Sequence, residues 1–462
     1  MASPLLLLFL LSWEKSAWGV KMAASFCSSA LFASACPSMR HAELHECLAP
    51  PDSIMLILGI ETSCDDTAAA VMQDDSLLLA SVLSSQDQIH TRFGGVVPEL
   101  ASRKHLESIV PIVQEALERA DVTLADIHLI AVTQGPGLIG SLLVGFSYAK
   151  ALSYVAGIPF VGVDHMAGHL LAAFLEEEKP DFPYIALIVS GGTSSIYLAH
   201  SHTSFTLLGR TRDDAAGEAF DKVAKILGMP YPGGPHVSAE AGTGDRSAIA
   251  FPRAWLGRSL SIPGANGTGP SLAGGRSLST PGANGTGPSL AGGRSLSSPG
   301  ANGAKPSMAV GHSLSITGSR TIEPSPADEE GSLDFSFSGL KTAVLNHCNG
   351  ERQKSVPLQL ADVCASFQEA IVDVLVAKTL LAARKYSVGT IVLGGGVSAN
   401  PRLREVMGEY CRQEGINLCI PRPSFCTDNA AMIALAGFYY FKKSGPGQYD
   451  QDVYSRSQLQ EK

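Results

Sequence analysis

The stretch IMLILGIETSCDDTAAAVMQ, residues 54–73, opens the ordered part of the chain. IMLILGIE is a compact apolar run of strand type, TSCDD is a small polar turn, and AAAVMQ resumes as a second strand. The pattern predicts a β-hairpin whose turn presents small polar and acidic groups. Outward from it, PELASRKHLESIVPIVQEALERA (98–120) has helical periodicity, and IHLIAVTQ (127–134) reads as a strand. GPGLIGSLLVGFSYAKALSYVAG (135–157) reads as a glycine turn opening a long helix. The strand PFVGVDH (159–165) leads into a helix carrying two histidines. IALIVSGGTSSIYLA (185–199) predicts strand, glycine turn, strand, and TIVLGGGVSANPRLREVM (390–407) predicts strand, glycine turn, helix. Strands alternating with helices, with glycine turns at the strand ends, imply an α/β fold that binds ligands at those ends.

Composition agrees with a core-rich enzyme: 45% apolar and 17% charged residues, with 47 glycines, over 462 residues. The net charge of −9 argues against non-specific coating of nucleic acid, though not against local docking of a structured RNA. Nine scattered cysteines form neither a disulfide framework nor a paired CxxC metal signature. Near the N-terminus, PLLLLFLL (4–11) is too short to span a membrane, and no other segment is expected to span one. KMAASFCSSALFASACPSMRH (21–41) is Ser/Ala-rich, with sparse basic residues and no acid between Glu14 and Glu43. Residues 1–50 therefore read as an organellar presequence, with Met22 as an alternative start and a secretory signal at Pro4–Trp13 as the rival reading.

One region does not fit an α/β core. SLSIPGANGTGPSLAGGR (259–276) recurs as SLSTPGANGTGPSLAGGR (277–294) and decays in SLSSPGANGAKPSMAVGH (295–312). Each unit offers too few apolar groups to offset the cost of ordering its Gly, Pro and Ser. Residues 254–331 are expected to be a disordered low-complexity insertion that interrupts a domain over 54–445, with 446–462 as a tail.

Three glycine turns follow strands: Gly135-Pro136-Gly137, Ser190-Gly191-Gly192 and Gly394-Gly395-Gly396. Such turns let the backbone approach a ligand and present N–H groups to phosphate or carboxylate, or merely close corners. With the TSCDD turn they suggest a nucleotide cleft between two lobes, although no Walker lysine loop or GxGxxG motif is present. In VDHMAGHL (163–170), His165 and His169 stand four apart, about one helical turn, where two imidazoles can share a metal or simply be hydrogen-bonded residues. Metallopeptidases place a water-activating glutamate inside this spacing, whereas here Met166, Ala167 and Gly168 intervene. Asp428, in CTDNAAMIALAG, is a possible third ligand, but Thr427 or Asp428 is equally expected as the cap of a helix that follows. In DDAAGEAFDKVAKILGMPYPGGP (213–235), Asp221 and Lys222 fall on an expected helix ended by Gly228 and Pro230, and Gly233-Gly234-Pro235 reads as a turn.

Taken together, GIETSCDDT, the His165/His169 helix, VSGG, DDAAGEAFDK, YPGGP, LDFSFSGLKTA, GGGVSANPRLR and CTDNAAMIA resemble the tRNA N6-adenosine threonylcarbamoyltransferases, formerly labelled O-sialoglycoprotein endopeptidases. The resemblance covers Ile54 to Gly437 outside the insertion and, with the presequence, is strongest to the mitochondrial member. It implies an actin/Hsp70/hexokinase-like bilobal fold, two ribonuclease-H-like lobes around a nucleotide cleft. It implies transfer of a threonylcarbamoyl group from threonylcarbamoyl-AMP, made by a separate synthase, to N6 of the adenosine 3′ of the anticodon. The tRNAs concerned read codons beginning with A.

By the same resemblance His165, His169 and Asp428 hold one divalent metal, iron or zinc. Ile188, Val189, Ser190, Gly191, Gly192, Asp221, Gly234 and Asn400 bind the donor. Asp65 assists the attacking amine, and the protein is a homodimer. Thr193 and Asp66 depart from residues common in relatives. Arg92, Arg103, Lys104, Arg402 and Arg404 are candidate phosphate contacts for tRNA, or ordinary solvated side chains. A metallopeptidase, or an ATP-dependent kinase of the same superfamily, is the alternative.

Overall fold

A computed structural model describes residues 54–254 and 332–459. The expected presequence, and the insertion apart from residue 254, lie outside the described residues. The first strands are β1 (Leu56–Glu61), β2 (Thr67–Gln73) and β3 (Leu77–Ser84), followed by helix α1 (Pro98–Arg119), β4 (Leu129–Gly135), α2 (Ile139–Ala156) and β5 (Phe160–Asp164). The histidine-bearing segment is a helix of seven residues, α3 (His165–Leu171). Then come β6 (Tyr184–Val189), β7 (Ser194–Ser201), β8 (Ser204–Arg210), α4 (Ala216–Ile226) and α5 (Gly233–Ala241). After residue 331 the chain continues with α6 (Ser338–Gln353), α7 (Leu360–Tyr386), β9 (Thr390–Gly394), α8 (Pro401–Glu414), β10 (Asn417–Cys419) and α9 (Ala430–Ser444).

The strands form two five-stranded sheets, ordered β3-β2-β1-β4-β5 and β10-β9-β6-β7-β8. Each begins with an antiparallel meander, β1–β2–β3 or β6–β7–β8, and adds two strands in parallel to the first. The same topology built twice is the bilobal α/β architecture that the sequence implied. In both sheets the first strand is central and buried on both faces, as its unbroken apolar run requires.

The lobes share one apolar layer. Ile57 and Leu129 of the first sheet, Ile188 and Val392 of the second, Met166 and Leu170 of α3, and Met432 to Ala436 of α9 belong to a single buried cluster. Helices α3 and α9 therefore run between the two sheets. Two glycines permit this approach. A Cβ on Gly59 of β1 would lie 2.3 Å from the Ala430 carbonyl oxygen, and one on Gly168 would lie 3.0 Å from Ile433 and Met432. The intervening Met-Ala-Gly of the histidine pair is thus a packing surface for α9.

Helix α2 is long and apolar enough, by length and composition, to cross a membrane. In the fold it packs with Leu142, Phe146 and Ala149 buried against the first sheet. Residues 446–459, expected as a tail, pack along β4 and β5: the Gly447 N–H donates to the Phe160 carbonyl at 2.7 Å and the Tyr454 N–H to that of Gln134 at 3.1 Å.

Candidate metal centre and cleft

β5 ends at Asp164, whose Oδ1 accepts from the Met166 N–H at 2.9 Å and caps α3. One turn of helix then places His165 and His169 on the same side, with ring centroids 4.7 Å apart. Asp428 arrives from the segment before α9. The sequence left Thr427 or Asp428 as the cap of that helix, but the cap is Asn429, whose Oδ1 accepts from the Met432 N–H at 3.0 Å. Asp428 is thereby left to face the histidines: its Oδ1 lies 3.1 Å from His169 Nε2 and 3.5 Å from His165 Nε2.

These three residues are buried or half-buried, and their candidate ligand atoms all lie within 4.8 Å of one another. A cation held at about 2.0–2.2 Å from each would fit such a triangle with little movement. The back of the site supports that fit. His165 Nδ1 is taken by Glu61 Oε2 at 3.0 Å and Ser63 Oγ at 3.2 Å, which turns Nε2 toward Asp428. Glu61 is fully buried at the end of β1 and also accepts from the Thr133 hydroxyl at 2.6 Å. A carboxylate behind a ligating imidazole fixes the ring and raises its basicity. His169 Nδ1 is buried without a hydrogen-bond partner among the described residues.

Burial opposes charge at Glu61, Asp428 and His165. The attraction between the imidazole and its two carboxylates outweighs it, holding both acids below their ordinary values and the histidine well above its own. Such a set of one carboxylate and two imidazoles, with negative charge in excess, is suited to a divalent cation. Sequence reasoning missed Glu61 and Ser63; the only available sign was a charged residue ending a strand that is otherwise wholly apolar.

The TSCDD turn lies beside this cluster. Burial, then the neighbouring Asp65 and Asp428 charges, raises the Cys64 thiol. Burial, against a Ser85 hydrogen bond and with the Asp65 and Asp428 charges, pushes the Asp66 carboxyl up to about 7. Behind the turn, His105 bridges the Thr67 hydroxyl (2.8 Å) and the Cys64 carbonyl (3.0 Å). Asp65 is half-buried at the tip. Burial raises the Tyr231 phenol, as do the Asp65 and Asp221 charges, so acids from the two lobes border the same tyrosine. A cavity of about 210 Å³ opens there, lined by Arg92, Phe93, Asp221, Lys225 and Tyr231.

The other expected donor residues belong to the turns and helices of the second lobe, apart from Ile188 and Val189 in β6. Ile188 and Val189 are fully buried in β6, so only their backbone can face a ligand. Ser190-Gly191-Gly192 forms the β6–β7 turn, closed by Thr193 N–H to Ser190 Oγ at 3.1 Å, with open space over both glycines. Asp221 accepts from the Gly233 N–H at 2.7 Å, and Gly233-Gly234-Pro235, expected as a turn, is the first turn of α5 because Asp221 satisfies its leading donor. Asn400 caps α8 through Oδ1 and donates to Gln368 at 2.8 Å through Nδ2. Asp213 and Asp214 act structurally: the first accepts from Phe337 and Ser338 at the start of α6, the second pairs with Lys222 at 2.6 Å.

Of the basic candidates for RNA, Arg103 pairs with Glu99, Lys104 with Glu107 and Arg402 with Glu369. Arg404 donates to the Ser398 carbonyl. Neither Arg404 nor Arg92 has an ion pair among the described residues, and Arg92 alone of the five has no side-chain hydrogen bond there either.

Comparison with known proteins gives the chain a family. A sequence profile described as tRNA N6-adenosine threonylcarbamoyltransferase matches residues 77–268 and 298–435. A protein of that name from Desulfotalea psychrophila is 52% identical over 408 residues, covering 88% of this chain and 98% of the relative. One from Bacillus subtilis is 42% identical over 399 residues, 86% of this chain and 94% of the relative. A solved structure, component A of (R)-2-hydroxyglutaryl-CoA dehydratase from Acidaminococcus fermentans, aligns over 83% of this chain and 98% of that one. Its TM-score is 0.40 at 13% identity, a likeness that adds nothing to the assignment. The profile and the relatives, spanning both lobes, settle it: the chain belongs to the tRNA N6-adenosine threonylcarbamoyltransferase family of acyltransferases.

Proposed function

We propose that the protein transfers a threonylcarbamoyl group from threonylcarbamoyl-AMP to N6 of the adenosine 3′ of the anticodon, in mitochondrial tRNAs reading codons that begin with A. The observation that carries this reading is the convergence of His165 Nε2 and His169 Nε2 on Asp428 Oδ1 beside the acidic TSCDD turn. His165, His169 and Asp428 would hold iron or zinc. When bound, such a cation supplies a Lewis acid that polarises a carbonyl or grips donor oxygens.

The chain's own groups do the rest. Ser190-Gly191-Gly192 offers an uncovered turn for the donor's phosphate or carboxylate, and Asp221 and Gly234 border the nucleotide. The adenine N6 forms a bond to the carbamoyl carbon, the bond from that carbon to the phosphate oxygen breaks, and AMP leaves. Asp65 accepts the N6 proton as the new bond forms. A peptidase is disfavoured because the buried glutamate of the site, Glu61, is committed to His165 Nδ1, Ser63 and Thr133 and cannot serve water on the open side.

Residues 1–50, rich in Ser and Ala and free of acid between Glu14 and Glu43, support a mitochondrial address. In this reading the protein acts as a homodimer, and a separate synthase supplies the adenylate. The test is nucleoside mass spectrometry on an unmodified tRNA incubated with the protein, a synthase, threonine, bicarbonate and ATP. Threonylcarbamoyladenosine should appear and vanish with His165→Ala or Asp428→Ala. Product that persists in both variants sinks the metal assignment, and no product beside an active relative sinks the reaction. Residues 1–50 fused to a fluorescent protein should enter mitochondria; a secreted or cytosolic fusion rejects that address.

A further inference from the structure

The carboxylate that begins the histidine helix is held from two sides. Asp164 Oδ1 caps α3, while Oδ2 accepts from the Ser457 hydroxyl at 2.9 Å, the Tyr454 hydroxyl at 3.1 Å and the Gln458 N–H at 3.2 Å. All three donors belong to the C-terminal segment. That segment is itself fixed to the first lobe: Gln134 Nε2 donates to the Asp452 carbonyl at 2.7 Å, and Tyr449 packs on Phe160 with ring centroids 5.3 Å apart. Gly135 is close enough that a Cβ would strike Tyr454 at 2.2 Å. Asp164 is 5% exposed. A buried carboxylate this well satisfied has a single position, and the next residue in the chain is the ligand candidate His165.

We propose that the C-terminal segment, through Tyr454, Ser457 and Gln458, is a positioning element of the metal centre, which sets the start of α3 and with it the aim of both imidazoles at Asp428. The inference rests on the metal reading above. Helix α3 has only seven residues, so its own hydrogen bonds do little to fix its axis. Its far end continues directly into a short 3₁₀ turn, Ala172–Leu175. The Asp164 clamp therefore ties the backbone at the end that carries His165, while Glu61 and Ser63 hold the imidazole itself. Groups that orient metal ligands from behind typically change metal affinity by about 10- to 100-fold.

The full-length double variant Tyr454→Phe/Ser457→Ala removes two of the three donors and keeps the apolar packing. Its Kd for Zn²⁺, measured by chelator competition on metal-free protein, is expected to rise about tenfold. The melting temperature of the metal-free protein should stay within a few degrees of wild type, which a merely structural role would not combine with that loss. Ser457→Ala alone, a milder change, should weaken binding by a smaller factor in the same direction. Unchanged Kd in both variants, with binding abolished by His165→Ala, overturns the clamp and leaves the metal centre standing. Equal Kd in wild type and His165→Ala overturns both.

Discussion

Glu61 Oε2 and His165 Nδ1 meet at 3.0 Å, joining the end of the first strand to the start of the histidine helix across about a hundred residues of chain. The pair decides which imidazole nitrogen is free. Glu61→Gln keeps the shape but exchanges a full negative charge for a neutral amide. The expected result is a metal Kd weaker by about 10- to 100-fold and a parallel fall in activity at limiting metal, recovered at saturating metal. Calorimetric titration of metal-free protein checks it; a Kd equal to wild type would show that the pair is structural.

Asp65 stands apart from the ligand set, on a turn braced by the His105 bond to the Cys64 carbonyl. If it takes the N6 proton, Asp65→Asn should lower kcat by about 10²–10⁴. Metal affinity and tRNA binding should change by less than threefold, or about 0.7 kcal/mol. Single-turnover kinetics with saturating tRNA would separate the two. A variant with normal kcat and a raised KM would reassign Asp65 to binding.

Lys378 is 0% exposed on α7 and donates to the carbonyls of Ser332, at 3.1 Å, and Asp334. Burial pushes its ammonium down to about 8, against the pull of Asp334. The unfolded chain keeps the ordinary value of 10.5. Between those two values the unfolded state holds a proton that the folded state lacks, so stability rises with pH across the window. The gain is at most about 3 kcal/mol. Urea unfolding at pH 7.5 and at 10 should show a larger rise for wild type than for Lys378→Met. Identical pH dependence in the two proteins would remove this account.

Much of this architecture was legible beforehand because strand order follows from unbroken apolar runs and glycine turns, which are local signals. IMLILGIE and IALIV read as buried strands and are the central strands of their sheets. The His165/His169 pair was equally visible in its four-residue spacing. What could not be read was who faces whom. Asp428 and Asn429 are both capping residues by type, and only the path of α9 past Gly59 and Gly168 decides that Asn429 caps while Asp428 turns to the histidines. Glu61, about a hundred residues before His165, and the C-terminal donors to Asp164 are long-range partners of the same kind.

The described chain is tied down on both sides of residues 255–331. Arg253 pairs with Asp373 at 2.8 Å, and Phe335 exchanges backbone bonds with Arg210 and Arg212 at 3.0 and 2.9 Å. Neither anchor uses a residue of the repeat. Excising 259–312 is therefore expected to leave kcat within about twofold and the melting temperature unchanged or slightly higher, since a shorter connection between two fixed ends costs less closure entropy. Loss of folding after the excision would give the repeat a structural role.

Leu106 and Val110 on α1 are 65% and 50% exposed, and Ile139 and Leu143 on α2 are 43% and 42% exposed. The two helices pack closely, since a Cβ on Gly140 would lie 2.5 Å from Ser102 Oγ, so the four apolar residues stand on neighbouring helices. Apolar side chains exposed on two adjacent helices offer a surface that a second copy can cover isologously. Burying the exposed part of each leucine there is worth about 1 kcal/mol. Leu106→Glu/Leu143→Glu should convert a dimer to a monomer in light scattering. Because both side chains already face solvent in the single chain, the fold should survive. A wild-type protein that is monomeric at micromolar concentration, or a variant that stays dimeric, would place the subunit contact elsewhere or nowhere.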